Sequence, residues 1–366
     1  MKIVWSIIII VHGLIHVMGF VKAFELAEVS ELSKYISKPI GVLWLLACVL
    51  FLVTSLLYIL DRPLWPVLGI IAILLSQILL FVSWGDAKYG TVINLIILLV
   101  CIAGYGKIRF ENTIIQEVTS LLKVSAPAVK ESYIPDIDSA GLPPIVKKWL
   151  QYTGVTENEP VQTVYLEQTG EMKTEPKGEW MPFAAKQYYR LPDASFIWTV
   201  NVESGSLLQI QGRDKLINGE NEMLIVAYHL FPIVKEGYHD KINRSGMTRY
   251  LAEICLFPQA ALYKNIQWES LSANSAKGTL TSKNTEVSGI FTFTDTGELI
   301  AFESKRFYGG ATDAQLQNWL VEIQDYRDFN GYRLPASCKI TWKLPEGDFE
   351  CFRIKIAHIE YNRKAF

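Results

Sequence analysis

Gly246-Met-Thr-Arg-Tyr-Leu-Ala-Glu-Ile-Cys-Leu-Phe-Pro-Gln259 is the stretch on which the reading of this chain turns. It reads as one apolar helix of about three turns, freed at its start by Gly246 and ended by Pro258. Arg249 and Glu253 lie four residues apart, so they share a face of that helix. Runs of period two lie on both sides of it. Phe196, Trp198, Val200 and Val202 alternate with polar or smaller residues, as do Trp319, Val321 and Ile323, and Ile340, Trp342 and Leu344. Lys177-Gly178, Asn218-Gly219, Thr296-Gly297, Asn330-Gly331 and Glu346-Gly347 are hairpin signals between such runs. About ten strands follow from this spacing. The expectation is an α+β domain: a large curved antiparallel sheet, half-barrel-like, with helices packed on its concave face.

Upstream the pattern changes. Half of the 366 residues are hydrophobic, and the excess falls in the first hundred or so. Ile3–Phe24, Pro39–Leu60, Pro63–Trp84 and Tyr89–Gly106 are apolar runs of roughly the 18–22 residues that cross a bilayer's hydrocarbon core. Residues 1–106 therefore read as a domain of four transmembrane helices, whose partner is the lipid bilayer. Positive charge near the spans is balanced: Lys2, Arg62, Lys107 and Arg109 on one side, Lys22, Lys34, Lys38 and Lys88 on the other. Cys255, Cys338 and Cys351 leave an odd number of thiols outside the spans, with no metal-type spacing. They tip the expected placement of the soluble domain to the cytoplasmic side of the membrane.

Within the spans, His12 and His16 share a helix face, and Gln77 and Asn94 lie in the third and fourth runs. Polar groups are costly in lipid. Interhelical hydrogen bonding is their commoner role; a metal, haem or quinone pocket is the functional alternative. Residues 107–141 read as an amphipathic helix, Phe110–Val124, and a linker, with the proline-rich stretch Ser125–Pro144 marking the domain boundary. Residues 142–366 form the sheet domain, which opens with a short helix, Ile145–Tyr152, begun by Pro143-Pro144 and closed by Gly154.

The net charge of −2 and the absence of a basic stripe leave no case for nucleic acid. No His-x-x-x-His pair stands outside the first helix, and no Gly-x-Ser-x-Gly or phosphate-cradling loop is present, so no metal or cofactor is expected and no catalytic motif is recognisable. Arg249 with Glu253 is the best constellation, as a structural ion pair, a ligand anchor or a general acid/base. Trp180, Gln187, Tyr188, Trp198 and Tyr250 join them as candidate ligand-binding residues, because an aromatic lining in a curved sheet suits an apolar molecule. Arg213-Asp214 before Asn218-Gly219 reads as a solvated turn. Asp325 and Asp328 read as cross-strand partners of Arg306 or Arg333.

Leu142–Leu150, Gly178–Gln187, Arg249–Glu253 with Phe257-Pro258, and Trp319 through Tyr326 resemble an uncharacterised bacterial family, whose members pair this domain with optional transmembrane helices. The closing run from Trp319 through Asp325-Tyr326 and Asn330-Gly331 to Trp342 and Ile359 is similar to the lipoprotein-carrier half-barrel (LolA/LppX-like) fold. That resemblance implies a lipid or other apolar ligand in a curved-sheet cleft. The alternatives are a membrane-anchored enzyme using Glu253 with Arg249 and a non-catalytic interaction platform.

Overall fold

The computed structural model describes residues 2–123, 132–138, 140–155, 160–204 and 208–363. Part of the expected linker, including Pro127, lies outside the described residues, as does Val124 at the end of the expected amphipathic helix. The chain divides into two compact units, Met1–Asn112 and Thr113–Phe366.

Four helical stretches are long and apolar enough to cross a membrane: Lys2–Ala23, Lys38–Ile59, Trp65–Val82 and Gly90–Leu121, the last running past Asn112 into the second unit. The first is interrupted at His16, between Lys2–Ile15 and Val17–Ala23. There the His16 N–H bonds to Gly13 O rather than to the carbonyl four residues back. His16 Nδ1–H takes that vacated acceptor, His12 O, at 2.9 Å. The imidazole thus stands in for its own backbone amide at the break. The fourth apolar run and the amphipathic segment, expected as two elements, form the one helix Gly90–Leu121. No Gly or Pro beyond Gly106 stops it, and its apolar spacing carries on without a break.

The second unit holds thirteen strands in one sheet: β1 (Thr163–Met172), β2 (Met181–Arg190), β3 (Ser195–Ser204), β4 (Leu208–Ile217), β5 (Glu220–Ala227), β6 (Phe231–Gly237), β7 (Ile266–Ser272), β8 (Ser275–Ser282), β9 (Thr285–Phe293), β10 (Leu299–Tyr308), β11 (Gln315–Phe329), β12 (Tyr332–Leu344) and β13 (Gly347–Tyr361). The order is β6-β5-β4-β3-β2-β1-β13-β12-β11-β10-β9-β8-β7, and every pairing is antiparallel. The chain meanders from the centre to one edge, crosses once to the other edge, and meanders back until β13 pairs with β1. The segment containing Gly246–Gln259 makes that crossing.

The crossing requires curvature. Laid flat, thirteen strands would separate the edges by roughly 58 Å, whereas the 14-residue helix Asp240–Glu253 is about 21 Å long. The sheet curls instead, and the β4–β5 turn meets the β8–β9 turn, where Lys283 pairs with Glu220 at 2.8 Å. The helix lies in the resulting half-barrel against β4, β5, β6, β8, β9 and β10. It begins six residues earlier than the sequence implies, with His239 as its N-cap, and gives way to short 3-10 turns after Glu253. Gly246 is therefore interior, not a start signal. A Cβ there would sit 2.1 Å from Asn221 Oδ1, so glycine lets the helix press on β5.

Four of the five expected turns fall between consecutive strands, and in the fifth, Glu346-Gly347, the glycine opens β13. Asn218-Gly219 and Asn330-Gly331 place both residues at positive φ, the geometry of two-residue hairpins. The short helix Pro144–Tyr152 has proline at its first turn and Gly154 at φ +77° just past its end. Its Trp149 packs against Trp268, Phe291 and Phe293. With Leu251, Phe257 and Tyr263 these rings belong to the principal core.

Candidate functional site

Along each strand alternate side chains face the concave side. Register places Leu166, Gln187, Trp198 and Asp214 in one row across β1–β4. Arg249 and Glu253 come down on this row from the helix. Arg249 donates through Nε to Glu253 Oε1 at 2.8 Å, through Nη1 to Asp214 Oδ2 at 2.9 Å, and through Nη2 to Gln187 Oε1 at 3.3 Å. Glu253 Oε2 accepts from Gln187 Nε2 at 2.9 Å and from the Tyr189 hydroxyl at 2.8 Å. Trp198 Nε1 donates to Gln168 Oε1 at 3.1 Å, and its ring lies 4.6 Å from the Arg249 guanidinium. Asn221 Nδ2 holds the second Asp214 oxygen at 2.9 Å.

The electrostatics of this network follow from its geometry. Burial disfavours the Arg249 charge, but the carboxylates of Glu253 and Asp214 outweigh that and raise its pKa. The side chains of Arg249 and Glu253 keep 16% and 17% of their surface exposed, so the pair is not sealed from solvent. Glu253 already accepts from three donors. To act as a general base it would have to release one of them. The nearby Tyr189 hydroxyl is buried, and burial with the Glu253 charge holds its pKa well above the usual phenol range.

Of the sequence-derived candidates, Gln187, Trp198, Arg249 and Glu253 meet in this network. Tyr250 is buried in the core, edge-on to Tyr189 at 6.1 Å. Tyr188 and Trp180 are not in the cluster. Tyr188 alternates to the convex side and packs on Tyr165 at 5.0 Å. Trp180 precedes β2 and stacks on Arg353 at 4.2 Å and Lys173 at 4.8 Å. Its aromatic character is legible in sequence, but its side of the sheet is decided by a turn.

Arg213-Asp214 is not a solvated turn. Both residues lie within β4 and are buried, 4% and 8% exposed. Being adjacent, they face opposite ways: Asp214 to Arg249, and Arg213 to Glu117 at 2.6 Å and to Glu222 on the convex side. Lys215 joins Glu117 at 2.8 Å. These pairs bind the end of helix Gly90–Leu121 to the convex face of β4 and β5. Asp328 lies directly opposite Arg333 in the β11–β12 register, but the carboxylates of Asp325 and Asp328 accept from the backbone amides of Tyr326 and Gly331. Gln168, Tyr189 and Asp214 are network members that motif reasoning missed, because only strand register brings them together.

Beyond the network lies a second apolar cluster. Phe183, Ala185, Val200 and Val202 form it, with Met172, Met181, Trp198, Ile210, Phe352 and Ile354 packed around them. Every member comes from a strand. Trp198 packs against both this cluster and the principal core, so it stands at their junction.

In the first unit His12 Nε2–H donates to Asn94 Oδ1 at 2.8 Å, and the Ser76 hydroxyl reaches His16 Nε2 at 2.8 Å. Asn94 Nδ2 donates to Ser76 Oγ at 3.0 Å and to Gln77 Oε1 at 3.1 Å. Three helices are joined by one chain of hydrogen bonds. Among the described residues no group of three or more His, Cys, Asp or Glu could hold a metal ion.

The fold defines a class: a half-barrel of curled antiparallel sheet enclosing one crossover helix. The chain belongs to the family of unknown function DUF6544, whose model matches residues 134–354. No curated protein matches the chain. Among solved structures it is similar to a DUF1329 family protein from Desulfovibrio piger, at 10% identity and TM-score 0.36 over 59% of this chain and 90% of that one. A LolA superfamily protein from Nitrosomonas europaea matches at 9% identity and TM-score 0.35, over 59% of this chain and 91% of that one. A putative outer membrane lipoprotein-sorting protein domain from Vibrio parahaemolyticus matches at 9% and 0.32, over 55% and 85%.

Proposed function

We propose that the half-barrel binds a lipid or other apolar molecule on the part of its concave face that the crossover helix leaves to the strands. The observation that carries this reading is the strand-only cluster around Val200 and Phe183, bordered by the Trp198–Gln187–Arg249 network. A core helix buries apolar surface by covering it; here Phe183, Ala185, Val200 and Val202 are buried among strand side chains alone, and no described helix contributes a member of the cluster. The network then closes one end of the cleft with a rigid polar wall, as ligand sites combine an apolar lining with a few placed polar groups. The four apolar helices support membrane tethering. The free thiols Cys255, Cys338 and Cys351 are in keeping with the cytoplasmic side of a bacterial inner membrane.

The test is a titration of the full chain with an apolar naphthylamine fluorophore that brightens on leaving water. Saturable binding is expected, with Val200→Phe weakening it by about tenfold through filling of the cleft. Absence of saturable binding, or equal affinity in the folded variant, overturns the reading.

A further inference from the structure

The ladder between β9 and β10 is incomplete. It runs from Leu299–Phe293 to Glu303–Ile290 and stops there, although β9 reaches back to Thr285 and β10 on to Tyr308. The strands on either side stay paired along this length, β8 with β9 and β10 with β11. The sheet is therefore split between Glu286–Gly289 and Ser304–Phe307. Backbone groups freed from a ladder need other partners: Ser304 Oγ reaches across the split to Ser288 O at 2.7 Å, and the crossover helix supplies others. Arg244 Nη1 donates to Glu286 O at 3.0 Å and Ser245 Oγ to Phe307 O at 3.1 Å.

An open groove of about 940 Å³ follows the split, and Arg306, Trp319 and Thr248 are among its lining residues. Arg306 is held by one bond, Nε to Ser245 O at 3.1 Å. Its guanidinium lies 4.6 Å from the Trp319 ring and 5.6 Å from that of Trp342. Its two terminal nitrogens have no hydrogen-bond partner among the described residues, and no described carboxylate forms an ion pair with it. Asp214 and Glu253 are both committed to Arg249. Burial and the Arg249 charge bring the Arg306 pKa down to about 10, so it is still a cation at neutral pH. Ile290 and Leu316 alternate to the side of the sheet opposite Arg306, so the groove reaches Arg306 through the split; with Leu271 they are 41%, 49% and 46% exposed. Its acidic members are Asp240, which pairs with Arg244 at 2.9 Å, and Glu286 and Glu303.

We infer that the split between β9 and β10 is a second binding site, in which Arg306 takes the oxyanion of an amphipathic molecule and Leu271, Ile290 and Leu316 take its apolar chain. An aromatic-stacked guanidinium with two open donors suits a carboxylate or a phosphate equally, by a forked pair of charge-assisted bonds. The site lies on a different part of the sheet from the strand-only cluster, so the two can fail separately.

The test is calorimetric titration of the full chain in nanodiscs, blanked against empty nanodiscs, with octanoate, octyl phosphate, octanol and inorganic phosphate. Octanoate and octyl phosphate are expected to bind at least about tenfold tighter than octanol. The ratio of the two anions then tells a carboxylate site from a phosphate site. Arg306→Gln is expected to remove the preference over octanol. Leu316→Glu, on the exposed rim and away from the Arg306 bonds, is expected to weaken both anions without changing thermal unfolding. Equal affinity for octanol and octanoate overturns the inference, as does undiminished anion binding by folded Arg306→Gln. Inorganic phosphate binding as tightly as octyl phosphate overturns the amphipathic assignment.

Discussion

Arg249 touches Glu253, Asp214 and Gln187 at once, and this sets what its removal does. Arg249→Met leaves two carboxylates at a largely buried site, and Glu253→Leu leaves the arginine with Asp214 alone. Each single change is expected to lower unfolding free energy by about 3 kcal/mol, read from urea denaturation of the full chain. The sequence pair alone implies that the double apolar change restores stability. The structure alters that expectation, because Asp214 then remains unpaired beneath an apolar helix. Restoration is expected only when Asp214→Asn accompanies the other two. Recovery by the double change would show Asp214 to be solvated. The charge pair was legible four residues apart on one helix, with Gln187 named beside it; Asp214 was not, since it arrives through strand register.

Glu222 makes the stability of the fold depend on pH. Burial tends to raise its carboxyl, but the Tyr238 hydroxyl, Arg213 and Lys215 together bring it down to about 2 from 4.5. A carboxylate with a depressed folded pKa contributes stability that is fully present above 4.5 and is lost as pH falls towards 2. Glu222→Gln is therefore expected to lower stability at neutral pH and to flatten its fall between pH 4.5 and 2. A variant whose acid limb keeps the wild-type slope would assign that limb to other carboxylates.

At the scale of elements, the hairpins were legible because Asn-Gly and its relatives satisfy a local demand for positive φ. Element ends were less so. Gly246 looked like a start because glycine weakens a helix, yet here it serves the close approach to Asn221. Arg213-Asp214 looked like a turn because polar pairs are uncommon in a buried strand. A helix end on one face and a helix middle on the other each supply a counter-charge. The end of helix Gly90–Leu121 is held by Glu117, which accepts from both Arg213 and Lys215. Glu117→Gln is expected to raise amide exchange selectively in residues 113–121 while the central strands keep their protection. Uniform loss of protection would mean that this segment is integral to the sheet's global stability.

For the whole molecule, the alternation of apolar residues implied a curved antiparallel sheet with a helix inside, and the thirteen-stranded half-barrel agrees. The crossing from β6 to β7 and the split between β9 and β10 had no signal in the sequence. Both are products of closure, in which distant edges meet only after the sheet has curled. In the first unit His12, His16, Ser76, Gln77 and Asn94 form one hydrogen-bonded chain. Asn94→Leu removes its centre and is expected to cost about 1–2 kcal/mol in mixed-micelle unfolding; no change would mean that the histidines find other partners within the bundle.

An apolar molecule held on the strand-only part of the concave face should stay with the protein through gentle extraction, and this is open to direct measurement. Native mass spectrometry of the full chain, taken from membranes in mild detergent, tests it most directly. A bound apolar species at fixed stoichiometry is expected on the wild type, strongly reduced on folded Val200→Phe. Bare protein in both, or the same bound mass in both, would contradict it.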